Sequence, residues 1–215
     1  MSSNAPFLKL EAASFHEVGF GSIAEVDLEV NAGELVVVHG PQGAGKAVLV
    51  RGCLGFVAAK SGSVSLFGTP LRGLVHEELL TVRRRCALSS ASAPLLSNQN
   101  VRENLLLPLI MRGVSEKAAD ARVDEVLALF QLTAAAWVRP EDLLPGDRDL
   151  ARLARALVVP ADLYILDDPS FPLAARKEFF DKIHGGAAAL VVVRYPQYFP
   201  EATRAIDLGD RSTSG

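Results

Sequence analysis

Residues 40 to 47 read Gly-Pro-Gln-Gly-Ala-Gly-Lys-Ala. Gly40, Gly43 and Gly45 leave the backbone free to curl around an anion with its N–H groups turned inward, and Lys46 is long enough to reach the outer oxygens of a polyphosphate. Far along the chain, "LYILDDP" ends in two adjacent acids, Asp167 and Asp168. The loop's backbone donors and its lysine are the types that a bound polyphosphate needs. Each also has a plainer reading, as a glycine-rich turn ending at a surface lysine and as a loop-capping pair of acids.

The elements around the loop favour the first reading. "LVVVHG" is apolar almost throughout, as in a parallel strand covered on both faces, and "KAVLVRGCLGFV" after the loop continues as a helix. "FLKLEAASF" and "IAEVDLEV" read as strands, joined to the loop's strand by the turn "NAGE", where Gly33 supplies conformational freedom. "SGSVSLFG" is a further hairpin-like strand. From Glu103 to about Val138 the spacing is helical, with a start near Ser115, and "RDLARLARALVV" is a helix with Leu150, Leu153, Ala154 and Leu157 on one face. "LYILDD" and "AAALVVVRY" are buried strands, and "ATRAIDLGD" is a short last one. Strands alternating with helices give an α/β fold with a mainly parallel sheet, an antiparallel β subdomain and a helical insert at about residues 92–158, all in one domain spanning 1–215.

Bulk properties narrow the classes. At 215 residues, with 49% hydrophobic and 22% charged residues, the chain can bury a large core. A net charge of -3 gives no reason to expect nucleic acid as a partner, and Arg83-Arg84-Arg85, the densest basic cluster, reads as a solvated helix end. Cys53 and Cys86 lack metal-ligand spacing and read as reduced, partly buried thiols of a cytosolic protein. No signal-peptide pattern opens the chain and no apolar run approaches membrane-spanning length, so a membrane role would come through a partner.

The series "LVVVHGPQGAGK", "KSGSVSLFG", "VRENLLLPLIMRG", "ARLARAL" and "LYILDDP" resembles the nucleotide-binding subunit of ABC transporters over nearly the whole chain, with the family's own spacing from "ARLARAL" to "LDDP". The "ENLLLPL" wording is similar to the lipoprotein-release and phospholipid-trafficking groups. The resemblance implies a P-loop NTPase core that binds ATP or ADP through Gly40, Gly43, Ala44, Gly45 and Lys46. It places Asp167 at the metal and Asp168 at the attacking water. Phe20 falls near the family's base-stacking aromatic, with Phe15 as the neighbouring alternative.

Against that pattern the chemistry-bearing positions have changed. Ala47 stands where the family has a serine or threonine that gives magnesium an oxygen, which puts Mg2+ in doubt. Asp168 replaces a glutamate and is one methylene shorter. Ala91 falls at the Q-loop glutamine, Tyr195 at the switch histidine, and Ala174 at the aspartate of the D-loop. "LLPGD" replaces LSGGQ, keeping only Leu143 and Gly146, while Pro145 removes a backbone N–H. The expectation is a catalytically impaired pseudo-ATPase, peripheral on the cytoplasmic face of the cell membrane. It would be paired as a homo- or heterodimer with another ABC subunit and docked on an integral membrane subunit near residues 91 to 110, with lipid or lipoprotein transport as the suggested setting. A slow, working ATPase and a soluble nucleotide-sensing adaptor are the alternatives.

Overall fold

The computed structural model describes residues 5–209 and separates them into two compact units. The first comprises the chain up to Cys86, Ala161–Asp168 and the chain from Ile183 onward; the second comprises Ala87–Pro160 and Pro169–Lys182. Residues 1–4, the start of the polar N-terminal tail, and Asp210, read above as the end of the last strand, lie outside the described residues.

In the first unit, β1 (Leu8–Glu17) and β2 (Gly21–Val30) form an antiparallel pair, and β4 (Ser61–Leu66) with the two-residue β5 (Thr69–Pro70) extends it in the order β2-β1-β4-β5. β3 (Leu35–His39), β7 (Leu163–Asp167), β8 (Ala188–Val193) and β9 (Arg204–Asp207) form a parallel array in the order β7-β8-β3-β9. All six residues of β8 are buried, which explains its uninterrupted apolar text. β6 (Cys86–Ser89) carries the chain out of this unit.

Helix α1 (Lys46–Cys53) starts directly at the end of the glycine loop and buries Val48, Leu49 and Val50. It lies so close to β1 that a Cβ on Gly52 would meet the Phe15 ring at 2.4 Å. Phe15 is therefore core, at 1% exposure. α2 (His76–Arg83) has no buried residue and takes its start from Glu78, whose carboxylate accepts the Val75 N–H at 3.0 Å. The basic triplet does sit at this helix end, but it is not simply solvated. Arg83 donates to Leu54 O at 2.7 Å and covers the Phe56 ring, while Arg85 pairs with Asp162 and covers Phe67.

The second unit is helical: α3 (Val101–Ile110), α4 (Glu116–Leu129), α5 (Pro145–Leu157) and α6 (Leu173–His184), the last belonging here as far as Lys182. Asn100 and Glu103 cap α3 reciprocally, at 2.9 and 2.8 Å. Asn104 is buried, accepts the Leu96 N–H at 2.7 Å and donates to the carbonyls of Leu96, Gln99 and Asn100, so it ties the preceding loop to the helix. α5 starts earlier than "RDLARLARALVV" suggests, at Pro145, because a proline at the first helical position forfeits no intrahelical bond.

Candidate functional site

The glycine loop leaves β3 at His39 and turns into α1 within six residues, Gly40 to Gly45. Two of its glycines take left-handed backbone, Gly43 at φ +88° and Gly45 at φ +81°. At Gly43 an added Cβ would meet nothing, whereas at Gly45 it would sit 2.5 Å from the Ser22 carbonyl oxygen and 2.7 Å from Ile23 Cβ. Gly43 serves the turn alone; Gly45 also serves a close approach to β2. Ala44 is buried, so its methyl helps to seat the loop on the core.

Lys46 opens α1 and folds back over its own loop, donating from Nζ to the carbonyls of Gly40 and Pro41, both at 2.6 Å. Burial pulls its ammonium below the ordinary lysine range; Asp167 and Asp168 oppose that shift and Arg194 adds to it. Both acids thus lie close enough to act on Lys46. Asp167 closes β7, in register with Val192 of β8, and is half-buried. Asp168 is exposed, stands at φ +50° and donates its N–H to Val192 O at 2.7 Å. Lys46, Asp167, Asp168 and the loop are brought together at the carboxyl end of the parallel strands, all within the first unit.

The loop fits a polyphosphate: an α1 N-terminus with no side-chain cap, left-handed glycines, and a lysine that its own carbonyls hold. Ala47 sits half-buried in the first turn of α1 and offers a methyl group. Asp167 and Asp168 are the carboxylates on hand.

Phe20 is 37% exposed, beyond the end of β1. One face of its ring is already covered by the Arg51 guanidinium, 4.4 Å from the centroid, which Glu17 grips at 2.5 and 2.7 Å. Any base stacking there has the other face to use. Tyr195 follows β8, 42% exposed and edge-on to Tyr198. Its predecessor Arg194, directly after β8, is the additional charge that acts on Lys46, and its place in the sequence alone does not announce that.

The remaining stations belong to the second unit. Leu144 is 71% exposed and caps α5 with no side-chain hydrogen bond, and Pro145 is the first residue of that helix. Ala91 is exposed after β6, and Ala174 is exposed in the first turn of α6.

A family model for ABC transporters matches residues 23–171, from β2 to just beyond the acid pair. The chain belongs to the ABC transporter family. It is 30% identical over 194 residues to the lipoprotein-releasing system ATP-binding protein LolD of Bacteroides thetaiotaomicron, covering 86% of this chain and 89% of that one. It is 35% identical over 161 residues to a methionine import ATP-binding protein of Paraburkholderia xenovorans, covering 75% of this chain and 42% of that one. The chain thus spans less than half the length of the methionine import relatives, 42–45%. Among solved structures, the dimeric ABC transporter cassette MJ0796 superposes with a TM-score of 0.79 at 22% identity, covering 97% of both chains. That likeness is one of fold: a P-loop core of parallel strands, an antiparallel sheet and helices. As in the ABC family generally, the chain is of the ATP-binding-subunit type, and no helix of the described residues is long and apolar enough to cross a membrane.

Proposed function

We propose that this chain is an ABC ATP-binding-type subunit that holds a nucleotide and hydrolyses it poorly or not at all, acting as a structural or regulatory pseudo-ATPase. The observation that carries the proposal is Ala47. It stands in the first turn of the helix whose N-terminus faces the phosphates, with a methyl group in place of an inner-sphere oxygen. The acid that would orient water is a short aspartate on exposed, left-handed backbone, and a displacement of about 1 Å in such a group costs on the order of a hundredfold in rate. In the second unit, Leu144 lacks the hydroxyl of the signature serine it replaces, and Pro145 lacks the backbone N–H of the glycine it replaces. What remains is the cage: glycines, Lys46 and an open helix N-terminus.

The partners follow from the family. ABC ATP-binding subunits work in pairs, and an integral membrane subunit is the proposed partner of this one. The region around residues 91 to 110 is the proposed docking segment, with Leu96 and Ile110 exposed in it. The place of action is the inner face of the cell membrane. The LolD relative, matched over most of its length, supports a lipid or lipoprotein setting.

A slow ATPase is the competing reading, favoured by Asp167 and Asp168 both acting on Lys46. Steady-state phosphate release by the complex purified with its membrane partner separates the two. The expected outcome is release at background level, unchanged by Lys46→Ala in this chain, alongside ATP binding that varies little with Mg2+. Magnesium-dependent turnover abolished by Lys46→Ala overturns the pseudo-ATPase.

A further inference from the structure

The acids and the lysine do not exhaust the charges at the carboxyl end of the parallel strands. β8 runs between β7 and β3. Its last residue, Val193, is in register with His39, the residue before Gly40. On the other side Val192 is in register with Asp167, and its carbonyl accepts the Asp168 N–H at 2.7 Å. Arg194 comes next. The strand order therefore places Arg194 at the carboxyl edge of the sheet, on the strand between the glycine loop's strand and that of the acid pair.

Arg194 is exposed and rests against Tyr195, its guanidinium carbon 5.1 Å from the ring centroid. Among the described residues no hydrogen bond or ion pair restrains it. An exposed cation–π contact is a weak tether, readily exchanged for a charged oxygen. The cation is close enough for its charge to be felt at Lys46. A triphosphate seated in a loop that cannot fix a metal through Ala47 needs positive charge from elsewhere, and the planar fork of arginine matches phosphate oxygens two at a time.

We propose that Arg194 is a phosphate-binding residue, which leaves Tyr195 to pair with the terminal phosphate of a metal-free nucleoside triphosphate held by the glycine loop. The proposal rests on the nucleotide-binding reading above and goes beyond it by naming the residue that replaces the metal's charge. It gives the site a preference for triphosphate over diphosphate without magnesium, because the fork reaches only the outermost group. Tyr195, where the family has its switch histidine, becomes the resting place of the arginine.

The test is titration of the purified full-length chain with ATP and with ADP in EDTA, for wild type, Arg194→Ala, Arg194→Gln and Lys46→Ala. The glutamine keeps the side-chain length in case the truncation disturbs the strand end, and melting curves check that each variant folds. Arg194→Ala and Arg194→Gln are expected to weaken ATP binding about tenfold or more while moving ADP binding less than about threefold. Lys46→Ala is expected to weaken both. If the Arg194 variants bind ATP as wild type does while Lys46→Ala loses it, the arginine proposal fails and the nucleotide-binding reading stands. Equal loss of ATP and ADP in the Arg194 variants also overturns it, since the contact is then not terminal. If wild type binds neither nucleotide in EDTA, the metal-free site and the arginine's part in it fall together; binding restored by Mg2+ would leave only nucleotide binding itself intact.

Discussion

At the scale of single residues, backbone conformation separates positions that the sequence shows as alike. Gly43 and Gly45 are both left-handed, but only Gly45 faces a wall. Gly45→Ala is expected to destabilise the protein by about 2 kcal/mol or more, because its Cβ overlaps the Ser22 carbonyl and Ile23. Gly43→Ala meets nothing and should cost only the strained φ, about 1 kcal/mol. Urea unfolding of the two variants measures the difference. Asp168 gives a second case. At φ +50° an aspartate is tolerated better than a longer acid, so this position is more than a shortened glutamate. Asp168→Glu is expected to lose about 0.5–1 kcal/mol, Asp168→Asn to be near neutral, and Asp168→Gly to gain up to about 1 kcal/mol. A uniform ranking of the three by charge, instead of by backbone preference, would show that strain does not govern this site.

At the scale of elements, the second unit is tied by an arginine whose function no motif announces. Arg122 on α4 donates to Glu178 on α6 at 2.5 Å, to Glu125 at 2.7 Å, and to the carbonyls of Leu157 and Val158 at the end of α5. One guanidinium thus joins three helices and satisfies two terminal carbonyls. Burial pushes the Glu178 carboxyl up, but hydrogen bonding and charge from Arg122, with help from Lys182, outweigh it and hold the group below the usual carboxylate range. A carboxyl lowered on folding stabilises the protein above its unfolded pKa, and that contribution is lost as pH falls through the folded value. Glu178→Gln is therefore expected to cost about 1–3 kcal/mol near pH 7, with the gap to wild type closing as pH drops below about 4.5. Thermal melts across pH 3 to 8 read this directly, and a gap constant with pH would show that the bond is not ionic. The same elements show what was legible. Buried strands and α5 could be read because whole faces are apolar. The cap of α3, Asn100 with Glu103, was also there to be read, as were Ala175, Phe179 and Ile183 at four-residue spacing in α6. α2 was not, because it buries nothing and so writes no apolar stripe.

At the scale of the whole molecule, the frame of an ABC subunit and its reaction can be separated. The frame was legible because burial constrains many positions at once, and the glycine loop was legible because its backbone demands glycine. The Arg194 position was not, because a lone arginine after a strand acquires meaning only once β8 is known to lie between the loop's strand and the acids' strand. Restoration can test how far the losses depend on one another. Ala47→Ser returns one candidate inner-sphere oxygen to the first turn of α1. It should make ATP binding respond to Mg2+, by about threefold to tenfold, because the ion gains a ligand on the same turn as Lys46. It should not start turnover. On the proposed reading Asp168, Ala91, Tyr195, Leu144 and Pro145 stand at further altered positions of the site and stay as they were, and groups that act as one site do not restore rate singly. ATP titrations with and without Mg2+, beside phosphate release by the same sample, give both readings. Turnover appearing with Ala47→Ser alone would mean that the rest of the site was already competent, and that a missing hydroxyl was all that kept this chain from hydrolysis.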